Sequence, residues 1–178
     1  AAYTELAELG LCGLYVSEDH GGMGMGPVEG MVVMEELGRG IVMEPIQQAL
    51  ICGAVLEGYA PGALKADWLP KVAGGEALVV LAYQERKSRY NTQKCDTQAQ
   101  QQNGQWQLTG TKSLVIVGDH ADAFLVPAMA SGKLALFLVA KDSKGCVTSG
   151  YGTQDGGRAA ELQLNQCPAS LVTLDGQT

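Results

Sequence analysis

The chain lacks an excess of basic residues: 12 Lys and Arg face 19 Asp and Glu, for a net charge of −7 among 178 residues. Nucleic acid phosphates need a basic stripe, so nucleic acid is excluded as a partner, and an anionic membrane surface is disfavoured for the same reason. Long apolar runs are missing too. The longest, Ala49 to Leu56, is broken by Gly53 and falls far short of the ~20 residues a spanning helix needs, so no membrane segment is expected. There are only two histidines, and no HExxH, no calcium loop and no Cys/His cluster, so no metal site is expected. Five cysteines are spread widely and never form a CxxC pair, which argues against a disulfide framework or a zinc site. Reduced thiols in a cytoplasmic protein fit that pattern, and no signal segment opens the chain.

What is present is 46% apolar content at a mean hydropathy of +0.03, the composition of a globular protein with a real core. Up to about residue 75 the apolar residues recur at helical spacing, and beyond it they alternate. A helix containing Leu6 and Leu9 can end at Gly10, and the chain opens on it as if the helix were already under way, which suggests a truncated start. The glycine-dense connector from Ser17 to Gly26 leads to Pro27, the first residue of a helix with Val28, Met31, Val32 and Leu37 on one face. Two more helices are expected over 45–59 and 61–72, with Gly74-Gly75 closing the helical half.

Eight strands are expected afterwards: Leu78–Ala82, Thr97–Gln101, Gln105–Leu108, Ser113–Val117, Ala123–Ala128, Leu134–Ala140, Glu161–Leu164 and Leu171–Leu174. Asn103-Gly104 predicts a two-residue hairpin, because both positions of a primed turn take positive φ. The expected class is therefore α+β. An N-terminal helical domain, 1–76, precedes an antiparallel β-barrel or sandwich, 77–178.

The chemistry-bearing patterns are weak. Gly22-Met-Gly-Met-Gly26 lacks the spacing of a dinucleotide loop, and Gly110-Thr-Lys-Ser113 lacks the upstream glycine of a P-loop and reads as a hairpin turn. His20 and His120 read as solvated loop histidines beside Asp19 and Asp119. Glu35 and Glu36 are adjacent on a helix, cannot converge on one bond, and read as solvated surface. The methionines Met23, Met25, Met31, Met34 and Met43 read as core filling. No catalytic constellation is self-contained here.

The segment from Leu6 to Met25, followed by a helix ending Glu35-Glu-Leu-Gly-Arg-Gly40, resembles the N-terminal signature of acyl-CoA dehydrogenases. Trp68-Leu-Pro-Lys-Val-Ala-Gly-Gly-Glu76 resembles the approach to that family's middle domain, and Ala82-Tyr-Gln-Glu85 is similar to its next loop. Leu108-Thr-Gly-Thr-Lys112 and Gly118-Asp-His-Ala-Asp122 resemble a hairpin that follows. The stretch Ala82 to Asn91 is most similar to small subunits of heteromeric members such as pimeloyl-CoA dehydrogenase.

The resemblance implies an FAD enzyme acting on an acyl-CoA substrate, passing electrons to an electron-transfer acceptor, and assembling as a homo- or hetero-oligomer. It also implies that the family's C-terminal helical bundle, which often bears the catalytic glutamate, is absent here, so no residue is assigned a catalytic role and the 178 residues alone are expected to be inactive. By position, Tyr83, Gln84 and Glu85 would border the flavin, as would Leu114, Val115 and Ile116, which stand where relatives often carry Trp-Ile-Thr. Tyr90 and Asn91 would lie near the CoA portion of the substrate. The alternatives are a non-catalytic, flavin-poor partner subunit of a heteromeric dehydrogenase and an unrelated helix-plus-barrel module that binds a small ligand.

Overall fold

A computed structural model describes residues 2–88 and 91–174. The chain divides into two compact units, Ala1–Val79 and Val80–Thr178. Among the described residues the first holds four α-helices: α1 (Ala2–Glu8), α2 (Pro27–Arg39), α3 (Ile46–Tyr59) and α4 (Gly62–Ala73). α1 stops where Gly10 takes a left-handed φ of 81°, and α2 starts at Pro27, with the Glu29 carboxylate accepting the Gly26 N–H at 2.9 Å. The core of this unit gathers Ala7, Cys12, Leu14, Ile46, Ala49 and Leu50, with Tyr15, Val33 and Leu37 packed against it. None of the described helices is long and apolar enough to cross a membrane.

The face expected for α2 is corrected. Leu37 packs inward together with Val33, whereas Val28 (65% exposed), Met31 (64%) and Val32 lie outside. The reason is Gly30: it is buried against the Tyr15 ring, and that contact turns the Gly30–Val33–Leu37 stripe inward. The core reading of the methionines fails with it, since Met23, Met25, Met31, Met34 and Met43 are all exposed.

The glycine connector is consumed by the chain itself. Met23, Gly24 and Met25 N–H groups donate to the carbonyls of Gly13, Val16 and Leu14 at 2.8–2.9 Å, which leaves no amide cradle for a phosphate.

The β unit contains β1 (Val79–Leu81), β2 (Gln98–Gln102), β3 (Gln105–Ile116), β4 (Ala123–Ala130), β5 (Lys133–Ala140), β6 (Cys146–Gly152) and β7 (Arg158–Leu174). Strand order β4-β2-β3-β7-β5 returns to β4, so five strands close a ring, with β1 and β6 attached outside it to β4 and β7. Closure leaves no free edge on these five strands and encloses a core that includes Phe124, Phe137, Leu108 and Leu162. All the registered pairings are antiparallel except β2 with β4, which runs parallel over Gln98↔Met129 and Ala99↔Ala130.

Among the described residues, seven strands stand where eight were expected. Gln105–Leu108 and Ser113–Val117 belong to one strand, and Glu161–Leu164 and Leu171–Leu174 to another, because β3 and β7 pair along most of their lengths. Gly110 is therefore no turn: a Cβ there would lie 2.5 Å from Thr97 Oγ1 and 2.8 Å from Thr97 Cα, so its glycine permits close approach within the barrel. β6 is the missed strand, as an edge strand exposed along most of its length carries no apolar alternation.

The Asn103-Gly104 turn joins β2 to β3 with φ of 51° and 80°. Gly104→Ala forces a Cβ into that left-handed geometry, and urea unfolding should show a loss of roughly 1–2 kcal/mol.

Candidate functional site

The site is built on the loop that follows β1 and on the middle of β3. Alternation along β3 sends Leu108, Gly110 and Lys112 to the same side, which puts a lysine among the barrel's buried residues. Lys112 is 0% exposed and donates to Glu85 Oε1 at 2.7 Å. The same carboxylate accepts the Thr97 hydroxyl at 2.6 Å, the Thr97 N–H at 3.0 Å and the Asp96 N–H at 2.6 Å, and the Cys95 thiol lies 3.5 Å away. Burial pushes the Glu85 pKa up, but the Lys112 hydrogen bond, the Thr97 and Asp96 donors and the Lys112 charge outweigh it, holding the group at about 2. Glu85 is thus a structural anion, ionised at neutral pH, and its side chain is engaged within the barrel.

That anchor places the rest of the loop. The Ser113 N–H donates to the Gln84 carbonyl at 2.8 Å, so Tyr83-Gln84 runs alongside Ser113-Leu114. The Gln84 amide also donates to the Tyr83 hydroxyl at 3.2 Å. Just beyond, β3 carries a bulge: Lys112 pairs with Leu162 and Val115 with Ala160, so Ser113 and Leu114 together face Glu161. Leu114 takes a left-handed φ of 51°, an uncommon conformation for a non-glycine residue, and strain of this kind is tolerated where the surroundings over-determine it.

The result is an exposed apolar strip. Leu114 (43% exposed) and Ile116 (44%) face out on either side of buried Val115, and Tyr83 is also 43% exposed. Next to it an open cleft of about 320 Å³ is lined by Arg86, Lys87, Asp96, Thr97, Thr111 and Ser113, among others. Arg86 and Ser113 both donate to the Glu161 carboxylate, at 3.3 and 3.2 Å, and this ties the loop to β7.

Of the residues singled out in the sequence, Tyr83, Gln84, Glu85, Leu114, Val115 and Ile116 thus come together, with Glu85 and Val115 turned into the barrel. Asn91 is exposed and its N–H donates to the Ser88 carbonyl at 2.9 Å, while Tyr90 lies outside the described residues. Sequence reasoning missed Lys112 as the partner of Glu85. Its signal was a lysine in an inward slot of an alternating strand, a placement that requires an anion inside.

The histidines differ from each other. His120 is exposed, whereas His20 is not a solvated residue: its Nδ1 contacts Ser17 Oγ at 3.0 Å and Glu57 Oε2 at 3.3 Å, and Glu57 also accepts the Ser17 N–H at 3.0 Å. Serine and carboxylate meet the same ring nitrogen, so the cluster cannot relay a proton as a triad does and instead ties the connector to α3.

The strip offers exposed aliphatic surface. It lacks an aromatic stacking partner at position 114 and a side-chain donor at position 116.

Comparison with known proteins places this geometry. Residues 1–76 match the family described as acyl-CoA dehydrogenase, N-terminal domain. The acyl-CoA dehydrogenase fadE12 of Mycobacterium tuberculosis (strain CDC 1551 / Oshkosh) is 31% identical over 152 residues, 80% of this chain and 39% of that protein. A chain of the ChsE4-ChsE5 complex from Mycobacterium tuberculosis superposes with a TM-score of 0.88 at 25% identity, over 97% of this chain and 47% of the other. An acyl-CoA dehydrogenase from Bacillus anthracis complexed with FAD gives a TM-score of 0.81 at 25% identity, over 97% of this chain and 32% of that one. The chain spans less than half the length of these proteins.

Proposed function

We propose that the chain, whose residues 1–76 match the N-terminal domain of acyl-CoA dehydrogenases, is a member of that family and supplies the helical and middle β parts of a subunit in an FAD-dependent acyl-CoA dehydrogenase. The reaction is the α,β-dehydrogenation of an acyl-CoA thioester, with electrons leaving through an electron-transfer acceptor. FAD, when bound, supplies the hydride acceptor. In this reading Tyr83, Leu114 and Ile116 form one wall of the flavin site and keep water from it. The Glu85–Lys112 pair positions the loop, and main-chain groups of Tyr83 and Gln84 face the ring edge. Asn91 and Tyr90 lie toward the CoA portion. The observation that carries the reading is the exposed Leu114–Ile116 strip beside the anchored Tyr83-Gln84 loop. Of the two glutamates here, Glu85 is held at about 2 by its partners and Glu161 is engaged by Arg86 and Ser113, so neither is free to act as the general base. An oligomer with a second subunit is in keeping with the ChsE4-ChsE5 complex to which the chain is similar.

A flavin visible spectrum from the gently purified intact complex is the expected result, and a colourless protein would sink the FAD assignment.

A second reading has one observation in its favour: Leu114 cannot stack as a π-system and Ile116 cannot donate a hydrogen bond. In that reading the chain is the flavin-poor, non-catalytic partner in a heteromer. Ile116→Thr restores a donor worth about 1 kcal/mol, so flavin affinity measured by fluorescence quenching should rise about fivefold. Unchanged affinity would favour the flavin-poor partner.

A further inference from the structure

The β unit keeps one long open edge, and it belongs to β6. This strand joins β7 alone, and from Val147 to Gly152 no described backbone group pairs with its other side. The other strand outside the ring, β1, is only three residues long and mostly buried. At the two ends of the β6–β7 ladder the Asn165 N–H donates to the Gly145 carbonyl and the Thr153 N–H to the Gly157 carbonyl, both at 2.9 Å. Bonded pairs alternate along an antiparallel ladder, so the odd-numbered residues of β6 bond to β7. The N–H and C=O groups of Thr148, Gly150 and Gly152 therefore line the open edge.

Native sheets blunt such an edge with charge, proline or a bulge. β6 has none of these: Cys146-Val-Thr-Ser-Gly-Tyr-Gly152 carries no charge and no proline, and its register with β7 is unbroken. Alternation sends Val147, Ser149 and Tyr151 to the exposed face. The opposite face is covered at Gly150, where an added Cβ would lie 2.6 Å from the Asp119 side chain.

We propose that β6 is a self-pairing edge, across which two copies of the chain join antiparallel about a two-fold axis at Ser149, forming one sheet continuous through both copies. The strand is its own complement. Setting Thr148 opposite Gly150 of the second copy pairs the open N–H and C=O groups of both chains and places Ser149 opposite its own equivalent. The same register sets Val147 opposite Tyr151 of the second copy at a non-bonded position. Side chains approach closest at such positions, and β-branched residues pair favourably with aromatic ones there. Sliding the copies by two residues would set Val147 against Ser149 and lose that match. Beyond the strand ends, Lys144 comes beside the turn that carries Asp155 of the second copy, so the charges flanking the axis are opposite in sign. The inference concerns assembly alone and stands whether or not the chain takes part in acyl-CoA dehydrogenation.

Sedimentation velocity of the full chain over a concentration series should show a monomer–dimer equilibrium. Ser149→Lys sets two lysines face to face on the axis and should weaken the dimer by at least about tenfold. Ser149→Glu should do the same, whereas a one-to-one mixture of the two variants should dimerise again, a recovery that misfolded chains could not give. Thr148→Pro removes an outward N–H without touching the β7 ladder and should also leave a monomer. A wild-type chain that stays monomeric at every concentration, leaving the edge to an extended strand of some other protein, would overturn the proposal. So would a dimer indifferent to the charge at position 149, or a mixture of the two charged variants that remains monomeric.

Discussion

Replacing Lys112 by methionine should cost the β unit about 3–5 kcal/mol, because the substitution leaves the Glu85 carboxylate buried without its cation. Total domain stabilities run to only about 5–15 kcal/mol, so the barrel of this variant should unfold at much lower urea or temperature. The chain has two tryptophans, Trp68 in the helical unit and Trp106 in β3, so Trp68→Phe makes fluorescence a reporter of the barrel alone.

The companion Glu85→Gln/Lys112→Met should recover most of the loss, since glutamine keeps an acceptor for Thr97 and Asp96 while removing the unpaired charge. Equal stability of wild type and Lys112→Met would show that the pair does not hold the loop in place.

The pH dependence has a definite sign. The folded pKa of Glu85 is depressed, from 4.5 to about 2, so the unfolded chain binds the proton more readily in that range. Its stabilising contribution is complete above about 4.5 and is lost as the pH falls toward 2. In Lys112→Met the same range should flatten, because the cation that depresses the pKa is gone.

The second large effect belongs to Gly22. A Cβ there would sit 2.1 Å from the Val16 carbonyl oxygen and 2.5 Å from its carbon, and a backbone segment cannot swing aside as a side-chain tip can. Gly22→Ala should therefore destabilise the helical unit by about 3 kcal/mol, as overpacking does. Trp106→Phe leaves Trp68 as the reporter of that unit. Gly58→Ala, at a helical glycine whose added methyl group meets nothing within 4 Å, serves as the control and should be neutral or slightly stabilising. If Gly22→Ala unfolded like the control, the connector would not be packed as described.

The proposed function rests, in the sequence, mainly on ordered motifs. Ala82-Tyr-Gln-Glu85 and Leu108-Thr-Gly-Thr-Lys112 pointed to the family separately, and the structure adds that Glu85 and Lys112, 27 residues apart, are partners in one buried ion pair. Continuous apolar runs located β4 and β5 well, since both strands bury most of their side chains. Apolar patterning failed for β6, which is exposed along most of its length, and for the methionines of α2, whose helical spacing is the same whether the stripe faces core or solvent.

By itself the sequence determined the change of period near residue 75, the helix ends at Gly10 and Gly40, and the Asn103-Gly104 turn. Those features depend on local backbone preference, which neighbouring residues settle. Tertiary structure alone decided which face of α2 turns inward, the single long β3 running through Gly110, the bulge at Leu114, and the meeting of Glu85 with Lys112. Each of these depends on which strand or helix lies across from it. Such pairings are fixed by how distant segments exclude water together, and no window of neighbouring residues records them.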